Sequence, residues 1–280
     1  MEQLAKLEAR ASSLHELREL FRAMRGLAAS HMQEAQSALA GVRRYAETVE
    51  SALTACASAQ NDRMRDSLDQ RSERHDAILI AFCSEHGFVG SMNQDVLDHA
   101  AGMLGPDQSL IIVGSRGAVV AQERGLSAKA EMAMTTHLDG VAAVTRRLSR
   151  LVAVASVVDA VFVATRRNAQ RSVEARRIWP TAIESFSVRK TSSPPITQLP
   201  ADTLWGRLTE EYRFAQLAHA TTESLVSEYS ARLRAMESAD RNATDKLAHL
   251  KSEENHLRQS AITSELLDIV TGSQALNKSL

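Results

Sequence analysis

The chain has 280 residues, 44% of them hydrophobic and 24% charged, with a formal net charge of -1. That balance excludes a disordered tail or a chain drawn to nucleic acid by bulk charge, and the length suggests roughly two domains of average size. No apolar run reaches the roughly 18 residues of a membrane span, residues 1–10 lack an apolar signal core, and the two separated cysteines, Cys56 and Cys83, speak against a disulfide scaffold or a zinc site.

No proline occurs before Pro106. Apolar or small residues fall at Leu14, Leu17, Phe21, Met24, Ala28, Met32, Ala35, Leu39, Val42, Ala46, Val49, Leu53 and Cys56. The gaps alternate three and four, with one extra four after Ala28, which predicts a coiled-coil helix with a single phase slip. Arg18, Arg22 and Arg25 share one face beside that seam. From spacing alone they read as a solvated face, with pairing to carboxylates of a surrounding protein as the alternative.

The middle of the chain changes character. Residues 77–83, 110–114 and 160–164 are short continuous apolar runs, each suited to a strand covered on both faces. Helical stretches around 94–103, 118–124 and 140–155 alternate with them, which predicts an α/β unit with a largely parallel sheet. The turn at 84–93, with Gly87, Gly90 and Asn93, follows a strand and precedes a helix, where α/β folds hold ligands. Gly114 and Gly117 follow the next strand. Neither turn completes a phosphate-binding fingerprint, so tight packing turns are favoured over a nucleotide site. His86 beside Glu85 lacks a third partner for acid–base work. Arg146, Arg147, Arg150, Arg166, Arg167, Arg171, Arg176 and Arg177 form a basic run with only Trp179 as an aromatic neighbour, and this fits a solvated face or a protein contact better than a nucleic-acid platform.

Prolines at 194, 195 and 200 mark a linker, and Asp202 or Thr203 is the expected cap of a last helix. From Arg207 through Thr271 there is neither glycine nor proline, and Leu225, Tyr229, Leu233, Met236, Ala243, Leu247, Leu250, Leu257 and Ala261 repeat at three, four or seven. Each terminal seam needs a partner, and the simplest is the other, as helices of roughly 80 and 100 Å. The expected architecture is therefore α/β: a long antiparallel coiled coil of the N- and C-terminal helices (1–58 and 202–276) plus a Rossmann-like α/β domain (75–190).

Residues 224–243 and 258–272 strongly resemble the C-terminal helix of the gamma subunit of F-type ATP synthases. Leu20-Phe-Arg-Ala-Met24 and residues 28–36 are similar to that family's first helix, while 84–93 and 114–117 are similar to its two glycine-bearing turns. The matches occur in family order over nearly the whole chain. Glu19, Phe21 and Gly26 depart from the family pattern, which suggests a divergent bacterial member, with a second or sodium-type operon as one source.

The resemblance implies the central rotor shaft of a proton- or sodium-translocating synthase, at the cytoplasmic face of the bacterial plasma membrane. Its partners would be the alpha and beta subunits of the catalytic ring, the epsilon subunit and the membrane c-ring, with one copy of this chain per complex. It implies no catalytic, cofactor or metal residue in this chain. Carried over by position, Arg258, Gln259 and Thr263 match residues that touch beta-subunit loops, and Met24 with Arg18, Arg22 and Arg25 matches the opposing face. Ala261, Ile262, Leu266, Leu267, Ile269 and Val270 match an apolar bearing. Two rivals stay open on residues alone: a nucleotide-binding α/β enzyme with coiled-coil arms, and a coiled-coil adaptor.

Overall fold

A computed structural model of the chain describes residues 2–59, 77–165, 171–179 and 197–277. Two helices bracket it, α1 (Glu2–Ala59) and α5 (Ala201–Asn277). Between them come β1 (Ala77–Phe82), α2 (Met92–Met103), β2 (Gln108–Val113), α3 (Ser115–Glu123), β3 (Ala130–Met132), α4 (Val141–Leu151), β4 (Val157–Thr165) and β5 (Arg171–Trp179). The chain divides into two compact units, Ala28–Arg232, and Met1–Leu27 with Leu233–Leu280. Each long helix contributes to both. Arg166, Arg167 and residues 192–196 of the expected linker lie outside the described residues.

In the larger unit the five strands run in the order β3-β2-β1-β4-β5, with β1 parallel to β2 and β4, β2 parallel to β3, and β5 antiparallel to β4. The three apolar runs of the sequence are the central strands. They are apolar at every position because alternate side chains enter two cores. Ile78, Ile80 and Phe82 of β1 face Leu148 of α4, Leu39 of α1 and Leu217 and Leu225 of α5. Leu79, Ala81 and Cys83 face Val96 and Leu97 of α2 and Ala121 of α3. This is the doubly wound, Rossmann-like arrangement the alternation of strands and helices calls for.

Two strands carry no apolar run. β3 has only three residues, and β5 is the edge strand, whose polar residues 171, 172, 174, 176 and 177 make it read as a basic segment. Further along the long helices, Ala46, Val49, Leu53 and Cys56 pack against Trp205, Tyr212 and Ala215. α5 begins at Ala201, directly after Pro200, so Asp202 lies in its first turn rather than at the cap, and the Leu204 N–H bonds the Pro200 carbonyl at 2.9 Å.

In the smaller unit α1 and α5 pair antiparallel: Glu8 lies 3.7 Å from Arg258, and Arg18 lies 3.2 Å from Asp240. Met236 and Ala243 are buried, Leu14, Phe21 and Met24 are half-buried, and Leu17, although in the seam, is 47% exposed. Two helices alone can cover only one stripe of each other, so this part of the seam stays open on its flanks.

Candidate interaction surface

The arginine stripe of α1 converges on a single carboxylate. The Nε atoms of Arg18 and Arg22 each lie 3.2 Å from Asp240 Oδ1, and Arg25 Nη1 lies 3.6 Å from Oδ2. Spacings of four and three residues bring the three guanidiniums onto one face, and the antiparallel partner supplies the acceptor. Taking the Asp240 carboxyl from water opposes its ionisation, but hydrogen bonds and charge from Arg18 and Arg22 outweigh this and hold it below the usual carboxylate range. Arg22 also reaches Glu19 at 3.2 Å, so three cations meet two carboxylates and one positive charge is left over. Neither reading of the stripe from spacing included Asp240. The missing information was the register of the two helices.

Arg258 makes a separate set of contacts, 2.8 Å to Glu254 and 3.7 Å to Glu8. Gln259 and Thr263 are exposed, and the Thr263 hydroxyl bonds the Gln259 carbonyl at 2.8 Å. Beyond them Ala261, Ile262, Leu266, Leu267, Ile269 and Val270 are all exposed, Ile269 at 68%. Six apolar or small side chains within ten residues form a surface of the kind that soluble monomers rarely leave bare.

The strand-to-helix turns are a different matter, because their backbone donors are committed inside the chain. The N–H groups of Glu85 and His86 donate to the Glu228 carboxylate of α5 at 3.2 and 3.5 Å. Glu85 in turn accepts from the Ser115 N–H at 3.0 Å, the Ser115 hydroxyl at 2.7 Å and the Met134 N–H at 2.7 Å. At the second turn Glu85 thus sits on the first residue of α3, the helix N-terminus where a phosphate sits in nucleotide-binding proteins of this fold class. Burial works against ionisation of Glu85, yet these donors bring its carboxyl below the ordinary range.

The glycines of the turns answer to geometry. A Cβ on Gly117 would stand 2.0 Å from Cys83 Cβ, and one on Gly114, at φ +115°, would stand 2.5 Å from the Cys83 carbonyl oxygen. Gly90 takes a φ of +63°, whereas Gly87 has open space around it. Asn93 is buried and closes the first turn, with its Oδ1 accepting from the Ser84 N–H at 2.8 Å and its Nδ2 donating to Ser84 Oγ at 2.9 Å.

Part of the basic run is likewise spoken for. Arg176 Nη2 lies 3.2 Å from Glu223 Oε2, and Arg177 pairs with Asp159. Arg146, Arg147 and Arg150 are exposed on α4. Glu223 was invisible as a functional residue in sequence because α5 carries many carboxylates, and only the packing of α1 and β5 against it distinguishes this one.

The family model described as ATP synthase matches residues 3–276. The ATP synthase gamma chain of Flavobacterium johnsoniae is 25% identical over 99% of this chain and 100% of its own length. That of Polynucleobacter asymbioticus is 27% identical over 97% and 98%. Among solved structures, a chain of the Euglena gracilis mitochondrial ATP synthase, in the OSCP/F1/c-ring assembly, superposes with a TM-score of 0.70 at 12% identity, over 98% of this chain and 95% of that one. A chain of the same organism's rotor gives 0.64 at 13% identity.

Proposed function

Because the chain belongs to the ATP synthase family, we propose that it is the central rotor shaft of an F-type synthase, coupling ion flow through a membrane sector to ATP synthesis or hydrolysis in a catalytic ring. The observation that carries this reading is the antiparallel pairing of the first and last helices of the chain. A coiled coil built from both termini, with a Rossmann-like domain inserted between them, suits a part that is turned at one place and felt at another.

The shaft makes and breaks no bonds itself. Its unequal faces favour different conformations of each surrounding subunit as it turns, a population shift driven by differential contacts. The Arg18, Arg22 and Arg25 face, with Met24 beside it, and the Arg258, Gln259 and Thr263 face supply polar contacts to beta subunits. The excess positive charge at Asp240 attracts acidic loops without a single rigid pair that rotation would have to break. Ala261, Ile262, Leu266, Leu267, Ile269 and Val270 turn inside an apolar sleeve, where contacts lack direction and sliding costs little. The turns holding Gly87, Gly90, Asn93, Gly114 and Gly117 shape the foot domain. The foot faces the epsilon subunit and the c-ring at the cytoplasmic side of the bacterial plasma membrane, one copy per complex. Among the described residues no helix is long and apolar enough to cross a membrane.

The test is co-purification from the native host through a tag on this chain. Recovery of one copy with three each of two nucleotide-binding subunits is expected. A solitary homodimer would favour the adaptor, and stoichiometric nucleotide binding by the isolated chain would favour the enzyme.

A further inference from the structure

Residues 221–230 of α5 are buried without exception. A helix hidden all round is ordinarily apolar all round. This one reads Thr-Thr-Glu-Ser-Leu-Val-Ser-Glu-Tyr-Ser, with seven polar or charged residues apart from Tyr229. Two carboxylates in such a place are costly unless they are paired with good geometry.

Their bonds point in different directions. Glu223 accepts from Arg43 of α1 at 2.6 Å and from Arg176 of β5 at 3.2 Å, and its neighbour His219 contacts both arginines at 3.3 and 3.0 Å. Five residues on, about 140° further round the helix axis, Glu228 accepts from the N–H groups of Glu85 and His86 and, at 2.6 Å, from Arg232. Between them the Ser227 hydroxyl donates to the Val163 carbonyl of β4, and on the remaining side of the helix the Tyr229 hydroxyl donates to the Thr136 carbonyl beyond β3. Thus α1, β5, β4, the β1 turn and the segment after β3 all hold one stretch of α5 by directional bonds. Apolar packing alone would let a smooth cylinder roll in its bed, but charges and hydrogen bonds arrayed round the axis do not.

We infer that residues 223–229 are a torque joint: Glu223, Ser227, Glu228 and Tyr229 key α5 into the α/β domain so that rotation of the domain turns the helix without slip. These are positioning residues, and their role rests on the reading of the chain as a rotor shaft.

The test uses the whole membrane-bound synthase carrying Glu223→Gln with Glu228→Gln, which keeps side-chain size and one acceptor at each place. ATP hydrolysis by the detached catalytic sector is expected to stay within twofold of wild type. Ions transported per ATP by the intact complex should fall at least twofold when pumping against a gradient, and should recover toward wild type as the gradient is relieved. A merely structural role would lower assembly and hydrolysis together and leave the ratio untouched. A wild-type ratio at every gradient would overturn the joint. If the double variant does not assemble, Ser227→Ala, which removes one hydroxyl and no charge, is read in the same way, with a reduced ratio for the joint and an unchanged one against it. Should the wild-type chain form no synthase at all, the rotor reading itself fails, and the two failures are told apart.

Discussion

One helix lives in two solvents. Over 221–230 α5 is wholly enclosed, with Glu223, Ser227, Glu228 and Tyr229 tied to five neighbouring segments of the chain, whereas over 261–270 its described side chains are exposed, Leu266 at 58%. The enclosed stretch is polar and the exposed stretch largely apolar, the reverse of what burial normally selects. Where the chain supplies its own surroundings, direction matters and polar bonds provide it. Where the proposed partner supplies them, freedom to slide matters and apolar side chains provide that. Exposure of an apolar surface thus marks an unfinished contact, and burial of a polar one marks a finished joint.

Truncation breaks or sharpens this comparison most directly. Leu225→Ala, in the enclosed stretch, is expected to destabilise the isolated chain by about 3 kcal/mol in chemical denaturation, because a cavity opens in a core that cannot collapse onto it. Leu266→Ala should change the same measurement by less than about 0.5 kcal/mol, as befits a surface position, and should act only on assembly or rotation. Equal losses at both positions would dissolve the distinction. Gly117→Ala comes next, at about 2 kcal/mol, since its methyl group would collide with Cys83 and α3 would have to move off β1.

Acid probes the finished joint. Burial opposes ionisation of Glu223, but hydrogen bonds from His219 and Arg43 and the charges of His219 and Arg176 overcome it and bring the carboxyl down from 4.5 to about 2. A carboxyl lowered by folding contributes stability that is fully present above its unfolded value and is lost as pH falls through the folded one. Unfolding titrations should therefore show the Glu223 contribution intact above about 4.5 and fading toward about 2, and the Glu223→Gln chain should lose less over that window. Asp240→Asn in the smaller unit should change unfolding only slightly, by an amount that shrinks with added salt, because partly exposed ion pairs contribute little. A loss insensitive to salt would mean that Asp240 acts as a buried staple.

Much of the fold was legible before any coordinates. The three apolar runs became β1, β2 and β4 because only a strand covered on both faces is apolar at every position, and the glycine- and proline-free ends became α1 and α5 because nothing in them interrupts a helix. β5 was not legible as a strand, since an edge position leaves half its side chains in water and its arginines look like any solvated run. Of the seam, Ala28 to Cys56 lies under a second helix and a sheet, while among the described residues Leu17 has only α5 beside it and stays open. Arg18, Arg22 and Arg25 were placed on one face by their spacing, but that they meet on Asp240 depends on register, which periodicity does not carry.

By itself, then, the sequence determined the two long helices and the three central strands with their order, because periodicity, glycine and proline act over a few residues of backbone. Which carboxylate meets which arginine, and that Glu223 and Glu228 grip from two sides of one helix, was decided only by the tertiary structure. The bonds from Arg43 to Glu223 and from the Glu85 N–H to Glu228 join residues more than a hundred positions apart, and their energy exists only once packing has excluded water from both partners.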